Sequence, residues 1–110
     1  MYTRGLRLLA VAALLVVVVG YYAPIIDVSD PYIQELGGWA VSEYLKQGHS
    51  DGLLYGQVLS GGQCNDYKFK LRNYKLILDA MDTTATVKNY KALVVVKWSG
   101  TRRLVSFELA

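Results

Sequence analysis

The sequence contains few of the residues from which catalytic and metal sites are built. Among its 110 residues there is one cysteine, Cys64, and one histidine, His49. Nucleophilic catalysis needs a base beside the nucleophile, and a zinc site needs three or four suitably spaced His, Cys or acidic ligands. His49 stands in a polar stretch after a predicted helix, where a solvated side chain is expected. We therefore expect no catalytic residues, no metal and no cofactor, and a binding protein rather than an enzyme.

Disulfide bonds within the chain are excluded by the single cysteine, and the sequence also lacks an Asn-x-Ser/Thr site for an N-linked glycan. A chain of 110 residues is long enough for one hydrophobic core and too short for two. We predict one domain that is held together by its core alone.

An apolar run near the N-terminus follows two arginines. Arg4 and Arg7 precede the run Leu8–Val19, and Gly20 comes directly after it. This order is typical of a signal peptide, and the run is shorter than the roughly 20 apolar residues that span a bilayer. We predict that residues 1–20 are a signal peptide and that residues 21–110 are a secreted, extracellular domain. An uncleaved membrane anchor is the alternative.

The predicted mature domain is almost neutral. Removing residues 1–20 takes away two arginines and lowers the net charge from +3 to +1. This leaves no basic face strong enough to indicate a nucleic-acid partner. We expect no nucleic acid, no membrane contact after signal cleavage, and a monomer. The sequence has one basic cluster, which we interpret as the solvated face of a strand. It comprises Lys68, Lys70, Arg72 and Lys75.

The pattern of the mature segment predicts an extended arm and then one helix. Residues 21–28 look extended, because they contain a proline that disfavours helical geometry in the residue before it. Ser29 or Asp30 can cap a helix that starts at Pro31, and Gln47-Gly48 ends it. Apolar side chains recur on one face of this helix, at Ile33, Leu36, Ala40, Val41, Tyr44 and Leu45.

Four strands are predicted after the helix. The first runs from Leu53 to Ser60, and the second from about Phe69 to Met81, with Gly61-Gly62 and Asn65-Asp66 as turn residues between them. Residues 89–98 show the clearest alternation, and Ser99-Gly100 turns the chain into a last strand, Arg103 to Leu109. That strand is expected to place Val105, Phe107 and Leu109 on a common side.

The helix segment Leu36-Gly-Gly-Trp-Ala-Val-Ser-Glu-Tyr44 resembles the helix signature of plant cystatins (phytocystatins). That signature has an aliphatic residue, an aromatic one, Ala-Val, then Glu and His or Tyr. Residues 24–31 are similar to the family's N-terminal arm, residues 73–80 to its central strand and residues 98–107 to its last hairpin. The resemblance covers nearly all of residues 21–110. It implies an α+β, cystatin-like fold, in which one N-terminal helix packs across a four-stranded antiparallel sheet.

The resemblance also implies a function and a set of contact residues. Plant cystatins are reversible inhibitors of papain-like cysteine proteases, and they fill the active-site cleft with an N-terminal trunk and two hairpin loops. The trunk corresponds here to Gly20, Tyr21 and Tyr22, with tyrosines where the family has its second glycine and its tryptophan. Gly20 is also the last residue of the predicted signal peptide, so cleavage there would leave the mature trunk to begin at Tyr21. The second loop corresponds to Lys97 and Trp98, and Lys97 stands where the family has proline.

The first hairpin loop departs further from the family pattern. Counting back from Asn73 places Tyr67, Lys68, Phe69, Lys70 and Leu71 where the family has Gln-x-Val-x-Gly, with residues 64–66 inserted. The segment 57–61 spells this motif loosely but falls on the preceding strand, so we interpret it as coincidence. Lysines at a tip that is small and apolar in the family leave open an alternative: a diverged, secreted, non-inhibitory binding protein of the same fold.

The two tryptophans receive different interpretations. Trp39 lies within the predicted helix and is interpreted as core packing. Trp98 ends an alternating strand at a predicted hairpin, where an exposed aromatic side chain fits the pattern of an interface anchor. Gly37 and Gly38 each cost a helix about 1 kcal/mol relative to alanine, so we expect them where the helix packs closely on the sheet.

Overall fold

The computed structural model describes residues 22–49 and 52–110, and these residues form one sheet and one helix. The five strands pair antiparallel in chain order, so each strand after the first lies beside its sequence neighbours. The α+β, cystatin-like fold class is confirmed, and the sheet gains a short edge strand that was not predicted. The elements are β1 (Ala23–Pro24), α1 (Pro31–Lys46), β2 (Leu54–Asp66), β3 (Leu71–Met81), β4 (Val87–Lys97) and β5 (Arg102–Leu109).

The helix has the predicted start and end. The Asp30 carboxylate accepts a hydrogen bond of 2.8 Å from the backbone amide of Tyr32, which satisfies an amide that has no partner within the helix. After Lys46 the chain leaves the helix, and Gly48 follows at a φ of 90°. The buried side of the helix carries the predicted stripe of Ile33, Leu36, Ala40 and Val41.

The core lies between this helix and one face of the sheet. Its fully buried residues include Leu36 from the helix, Leu76 and Leu78 from β3, and Ala92 from β4. Gly37 brings the two layers into close contact, because a Cβ atom there would lie 2.5 Å from Cγ2 of Val58. The expectation that this glycine serves helix packing is confirmed.

The predicted end of the first long strand is wrong. The strand β2 continues through the glycines to Asp66, and β3 begins at Leu71 rather than at Phe69. Gly61 and Gly62 therefore lie within a strand, where neighbouring chain segments leave no room for a side chain. A Cβ at Gly61 would lie 2.6 Å from the Lys75 carbonyl oxygen, and one at Gly62 would lie 2.7 Å from the Tyr22 Cβ.

The predicted side-chain alternation in the last strand is also wrong at Val105. Leu93 pairs with Ser106 and Val94 with Leu104, so Val105 is an extra residue at an irregularity in the pairing. Its side chain is 48% exposed, whereas Leu104 is buried. Phe107 does pack on the core, with its ring stacked on those of Tyr44 and Tyr90.

Gln34 fastens the helix to β2 where the pairing of that strand is irregular. Its Oε1 accepts hydrogen bonds from the Tyr55 hydroxyl at 2.7 Å and from the Val58 amide at 3.0 Å. Its Nε2 donates to the carbonyl of Val28, at 2.6 Å, in the arm before the helix. One side chain thus links the arm, the helix and the sheet.

The predicted signal peptide, residues 1–20, lies outside the described residues. Within residues 22–49 and 52–110 there is no helix with the length and apolar character needed to cross a membrane.

Candidate functional site

The two turns predicted to contact a protease lie side by side at one end of the sheet. The first turn, residues 67–70, joins β2 to β3, and the second turn, residues 98–101, joins β4 to β5. Leu71, the first residue of β3, pairs with Asp66 at the end of β2 and with Lys97 at the end of β4. This pairing places the two turns next to each other, and together we call them the tip.

The first turn has the position that the family resemblance gave it. Its amide at Phe69 donates a 3.1 Å hydrogen bond to the Asp66 carboxylate, and Lys70 closes it with a left-handed φ of 53°. Tyr67 and Phe69 are 71% and 66% exposed, and the Lys68 Nζ lies 5.4 Å from the centroid of the Phe69 ring. The turn therefore presents two exposed aromatic rings and two cations to solvent.

Trp98 is part of the second turn and contacts the first. Its backbone amide donates a hydrogen bond of 2.9 Å to the Lys70 carbonyl oxygen. Its ring meets the Tyr67 ring edge-on, with the two centroids 5.9 Å apart. More than half of the Trp98 side chain, 55%, is nevertheless exposed. The structure thus places Trp98 on the surface at a hairpin end, whereas Trp39 packs against the core as interpreted.

Of the three predicted trunk residues, Gly20 and Tyr21 lie outside the described residues and Tyr22 lies beside β2. The Tyr22 side chain is half-buried, and this burial raises its pKa, with a smaller contribution from Cys64. The strand β1 runs antiparallel to β2, with Ala23 opposite Gln63 and Pro24 opposite Gly62. The N-terminal end of β1 is therefore the end nearer to the tip.

The segment 57–61, which spells the family's first-loop motif loosely, belongs to β2 and is far along the strand from the turn. Gln57 pairs with Asp79, and Gly61 with Leu76. The expectation that this segment falls on the strand before the first turn is confirmed. Residues 64–66, which the resemblance marked as an insertion, are the last residues of β2 and lead into the first turn.

A groove of about 330 Å³, here called the Arg72 groove, lies next to the tip. The guanidinium of Arg72 donates from Nε to Asn65 Oδ1 at 2.6 Å and from Nη1 to the Tyr74 hydroxyl at 3.3 Å. The bond to Tyr74 is the main cause of a raised Arg72 pKa, so this side chain stays charged. The groove is lined by Tyr32, Arg72, Tyr74, Val96, Lys97 and Trp98.

Arg72 is exposed, as the interpretation of the basic cluster expected, but sequence reasoning missed the groove that its side chain lines. A signal was available in the alternation of β3, since Arg72 shares its face with Tyr74 and Leu76, which are both buried. Arg72 therefore belongs to the helix side of the sheet. Lys75, from the same predicted cluster, lies on the opposite side, and both cations are exposed.

A second arginine near the groove has an acidic partner. The Arg102 guanidinium forms two hydrogen bonds with the Glu35 carboxylate, of 2.6 and 2.8 Å, and lies over the rings of Tyr32 and Trp39. The hydrogen bond from Arg102 lowers the pKa of Glu35. The two arginines thus lie near the same tyrosine, Tyr32, but only Arg102 is hydrogen-bonded to a carboxylate.

Within the described part of the chain, no three His, Cys, Asp or Glu side chains come together in a group that could hold a metal ion. His49 is exposed, with its ring stacked on Tyr44 at 4.0 Å. The tip offers exposed aromatic rings and two lysines, and the adjoining groove adds Arg72 and Lys97, which together suit the binding of another macromolecule.

A helix across an antiparallel sheet, with two adjoining turns exposed at one end, defines a protein of the cystatin-like class. A family model described as "Aspartic acid proteinase inhibitor" matches residues 25–110. Cysteine proteinase inhibitor 8 of Oryza sativa subsp. japonica is 43% identical over 93 residues, which cover 84% of this chain and 72% of that relative. Cysteine proteinase inhibitor 6 of the same plant is 37% identical over 110 residues, covering 98% of this chain and 94% of that relative.

A relative from Arabidopsis thaliana, cysteine proteinase inhibitor 5, is 42% identical over 93 residues, which cover 84% of this chain and 73% of that protein. The chain belongs to the plant cystatin-type family of proteinase inhibitors. The expectation that it is a binding protein and not an enzyme is confirmed by this membership.

Proposed function

We propose that this protein is a reversible inhibitor of papain-like cysteine endopeptidases, which blocks the active-site cleft with its N-terminal trunk and the two turns of the tip. Three of its relatives are named as cysteine proteinase inhibitors, which supports this protease class. The observation that carries the proposal is the position of Trp98, which is exposed at the tip and fixed to the first turn.

The tip has the composition of a protein-binding surface. Tyr67, Phe69 and Trp98 are large aromatic side chains that stand exposed within two short turns. Aromatic residues carry much of the binding energy in interfaces because they remove a large apolar area from water while few rotatable bonds become fixed. A cleft that encloses these three rings would remove a large apolar area from water.

Papain activity titrated with residues 21–110 tests the proposal. All the buried core residues described above lie between Ile33 and Leu104, so this segment keeps the folding unit. We expect stoichiometric inhibition, and we expect Trp98→Ala to weaken it by more than tenfold, which corresponds to about 1.4 kcal/mol. Trp39→Phe, on the helix, is the matched control and should leave inhibition unchanged.

The alternative, a diverged binding protein that does not inhibit, is motivated by Lys68 and Lys70 in the first turn. Moving a lysine into an apolar cleft costs several kcal/mol unless an acidic group pairs with it. If a folded protein with a normal circular dichroism spectrum fails to inhibit papain and other papain-like proteases, this alternative replaces the proposal.

Inhibition of an aspartic protease is a second candidate, favoured by the description of the matching family model. Aspartic proteases catalyse with two carboxylates that share one proton, and such a negatively charged site would attract the lysines of the tip. Pepsin and papain assayed with the same preparation separate the two candidates. Inhibition of pepsin alone, by protein that remains folded at the acidic assay pH, would assign the second.

We further propose that the protein is exported, with cleavage after Gly20, and that the mature domain is a monomer. The short apolar run behind two arginines supports export. N-terminal sequencing of protein from the culture medium of expressing plant cells tests it, with Tyr21 as the expected first residue. A retained, membrane-bound product that starts at Met1 would contradict it. Light scattering of residues 21–110 measures the mass and tests the monomer.

A further inference from the structure

The Arg72 groove contains an arginine without an acidic partner. In the described part of the chain no carboxylate lies within ion-pair distance of its guanidinium, whose hydrogen-bond partners are the neutral side chains of Asn65 and Tyr74. A guanidinium has five N–H donors, so those two bonds leave three donors unused. Arg102, which lies over the neighbouring Tyr32 ring, differs in that its two hydrogen bonds go to a carboxylate, that of Glu35.

The charge around the groove has one sign. Arg72 and Lys97 are the charged side chains that line it, and both are positive. The aromatic rings of Tyr32, Tyr74 and Trp98 form much of the rest of the lining. Residues 65–72 and 95–101, which include both turns, carry one acidic residue, Asp66, against Lys68, Lys70, Arg72 and Lys97.

We propose that the Arg72 groove binds a carboxylate side chain from the rim of the target protease's active-site cleft, so that the inhibitor prefers papain-like proteases whose rim is acidic. The planar fork of an arginine matches the two oxygens of a carboxylate. This inference rests on the proposed function and specifies the chemistry of the partner.

The position of the groove favours a protease as the source of the carboxylate over a free anion. Trp98 lines the groove and also stands exposed in the second turn, so a partner that covers this ring also covers the groove. Covering it removes water from the guanidinium and strengthens the attraction to a carboxylate. A small anion would leave the groove open to water, so its attraction to the guanidinium would stay weak.

The test compares Ki values for a panel of papain-like proteases that differ in the number of Asp and Glu side chains around the cleft. Arg72→Gln removes the charge, and Arg72→Lys keeps the charge but not the fork. Lys75→Gln is the matched control, because it removes one cation from the opposite side of the same strand. Each variant is measured at 0.05 and 0.5 M NaCl, after circular dichroism confirms that it is folded.

We expect Arg72→Gln to raise Ki at least fivefold for proteases with an acidic rim and less than twofold for the others. Arg72→Lys should lie between wild type and Arg72→Gln, and Lys75→Gln should match wild type. At 0.5 M NaCl the effect of Arg72→Gln on Ki should be smaller than at 0.05 M, because salt screens the attraction between the exposed charges of the two proteins.

Two outcomes would overturn the inference and leave inhibition standing. One is an equal effect of Arg72→Gln and Lys75→Gln across the panel while Trp98→Ala still weakens inhibition. The other is that Arg72→Gln lowers the salt needed to elute the protein from immobilised heparin but changes no Ki, which would assign the groove to polyanions. Absence of inhibition by folded wild-type protein for every protease would instead reject the proposed function, and the inference with it.

Discussion

The backbone amide of Trp98 donates a 2.9 Å hydrogen bond to the carbonyl oxygen of Lys70, which joins the second turn to the first. The pairing of Leu71 with Lys97 continues this connection into the sheet. The Tyr67 ring adds a side-chain contact to the Trp98 ring. The two turns are thus one surface with a fixed arrangement of aromatic rings, and a partner meets them together.

The ring contact predicts energetic coupling between Tyr67 and Trp98. Edge-to-face aromatic pairs contribute about 0.5–1.5 kcal/mol, and we expect the lower end, about 0.5 kcal/mol, because both rings are largely exposed. A double-mutant cycle of Tyr67→Ala and Trp98→Ala in urea unfolding measures this coupling. The cycle of Phe69→Ala with Trp98→Ala is the control and should be additive. Equal coupling in both cycles would contradict a specific contact.

The first turn stores strain at Lys70, whose φ of 53° is left-handed. This conformation costs a residue with a side chain roughly 1–2 kcal/mol, whereas glycine adopts it freely and loses about 0.5–1 kcal/mol through its more flexible unfolded chain. We therefore expect Lys70→Gly to raise the free energy of unfolding by about 0.5–1 kcal/mol. Lys68→Gly, at a position with no positive φ, should lower it. Urea denaturation of both variants measures these changes. A lower free energy of unfolding for Lys70→Gly would contradict the assignment of strain to Lys70.

The contact between helix and sheet predicts opposite outcomes for two neighbouring glycines. A Cβ at Gly37 would lie 2.5 Å from Cγ2 of the buried Val58, whereas one at Gly38 would lie 3.3 Å from the half-buried Tyr55 ring. Overpacking costs about 1–3 kcal/mol, and alanine regains about 1 kcal/mol of helix propensity. Gly37→Ala should therefore lower the free energy of unfolding by up to about 2 kcal/mol, while Gly38→Ala should not lower it. Thermal and urea unfolding of the pair provide the comparison.

The turn between β3 and β4, at the other end of the molecule from the tip, predicts a dependence of stability on pH. The Asp82 carboxylate accepts hydrogen bonds from the Thr84 hydroxyl and amide and from the Thr86 amide. These hydrogen bonds lower the pKa of Asp82 from 3.8 to about 2, and the bond from the Thr84 hydroxyl has the largest effect. The Asp82 carboxyl group binds a proton less tightly in the folded state than in the unfolded state. The stabilisation that the ionised Asp82 carboxylate gives the fold is therefore complete above about pH 4 and is lost as the pH falls through about 2.

Asp82→Asn tests this dependence. Its urea midpoint should lie below that of the wild type at pH 6, and the two midpoints should converge as the pH approaches 2. A difference in midpoints that stays constant from pH 6 to pH 2 would contradict the assignment of the effect to the ionised carboxylate.

Much of the fold could be predicted because local signals and packing agree in the helix and in β4. The Asp30 cap and Pro31 mark the helix start in the sequence and in the structure alike. The alternation of residues 89–98 also holds, with Ala92 and Val94 buried in the core. The family resemblance gave the place of the first turn, residues 67–70, which the turn signals alone did not.

The errors arose where tertiary contacts decide the role of a residue. Gly61 and Gly62 look like a turn, but they are required by the close approach of β1 and β3 within the sheet. The actual first turn contains no glycine or proline. Instead Asp66 binds an amide and Lys70 adopts a left-handed conformation. Arg72 could not be assigned to a groove from its own strand, because the groove is completed by Tyr32 from the helix and by residues of β4 and the second turn.

Hydrogen exchange of residues 21–110, alone and bound to papain whose active-site cysteine has been changed to serine, tests most directly whether the tip enters the cleft. We expect slower exchange in the complex for the amides of residues 67–70 and 98–101, and unchanged exchange for residues 82–86 at the other end of the sheet. Protection that is confined to residues 82–86 or to the helix, with the tip exchanging as in the free protein, would contradict the proposed mode of inhibition.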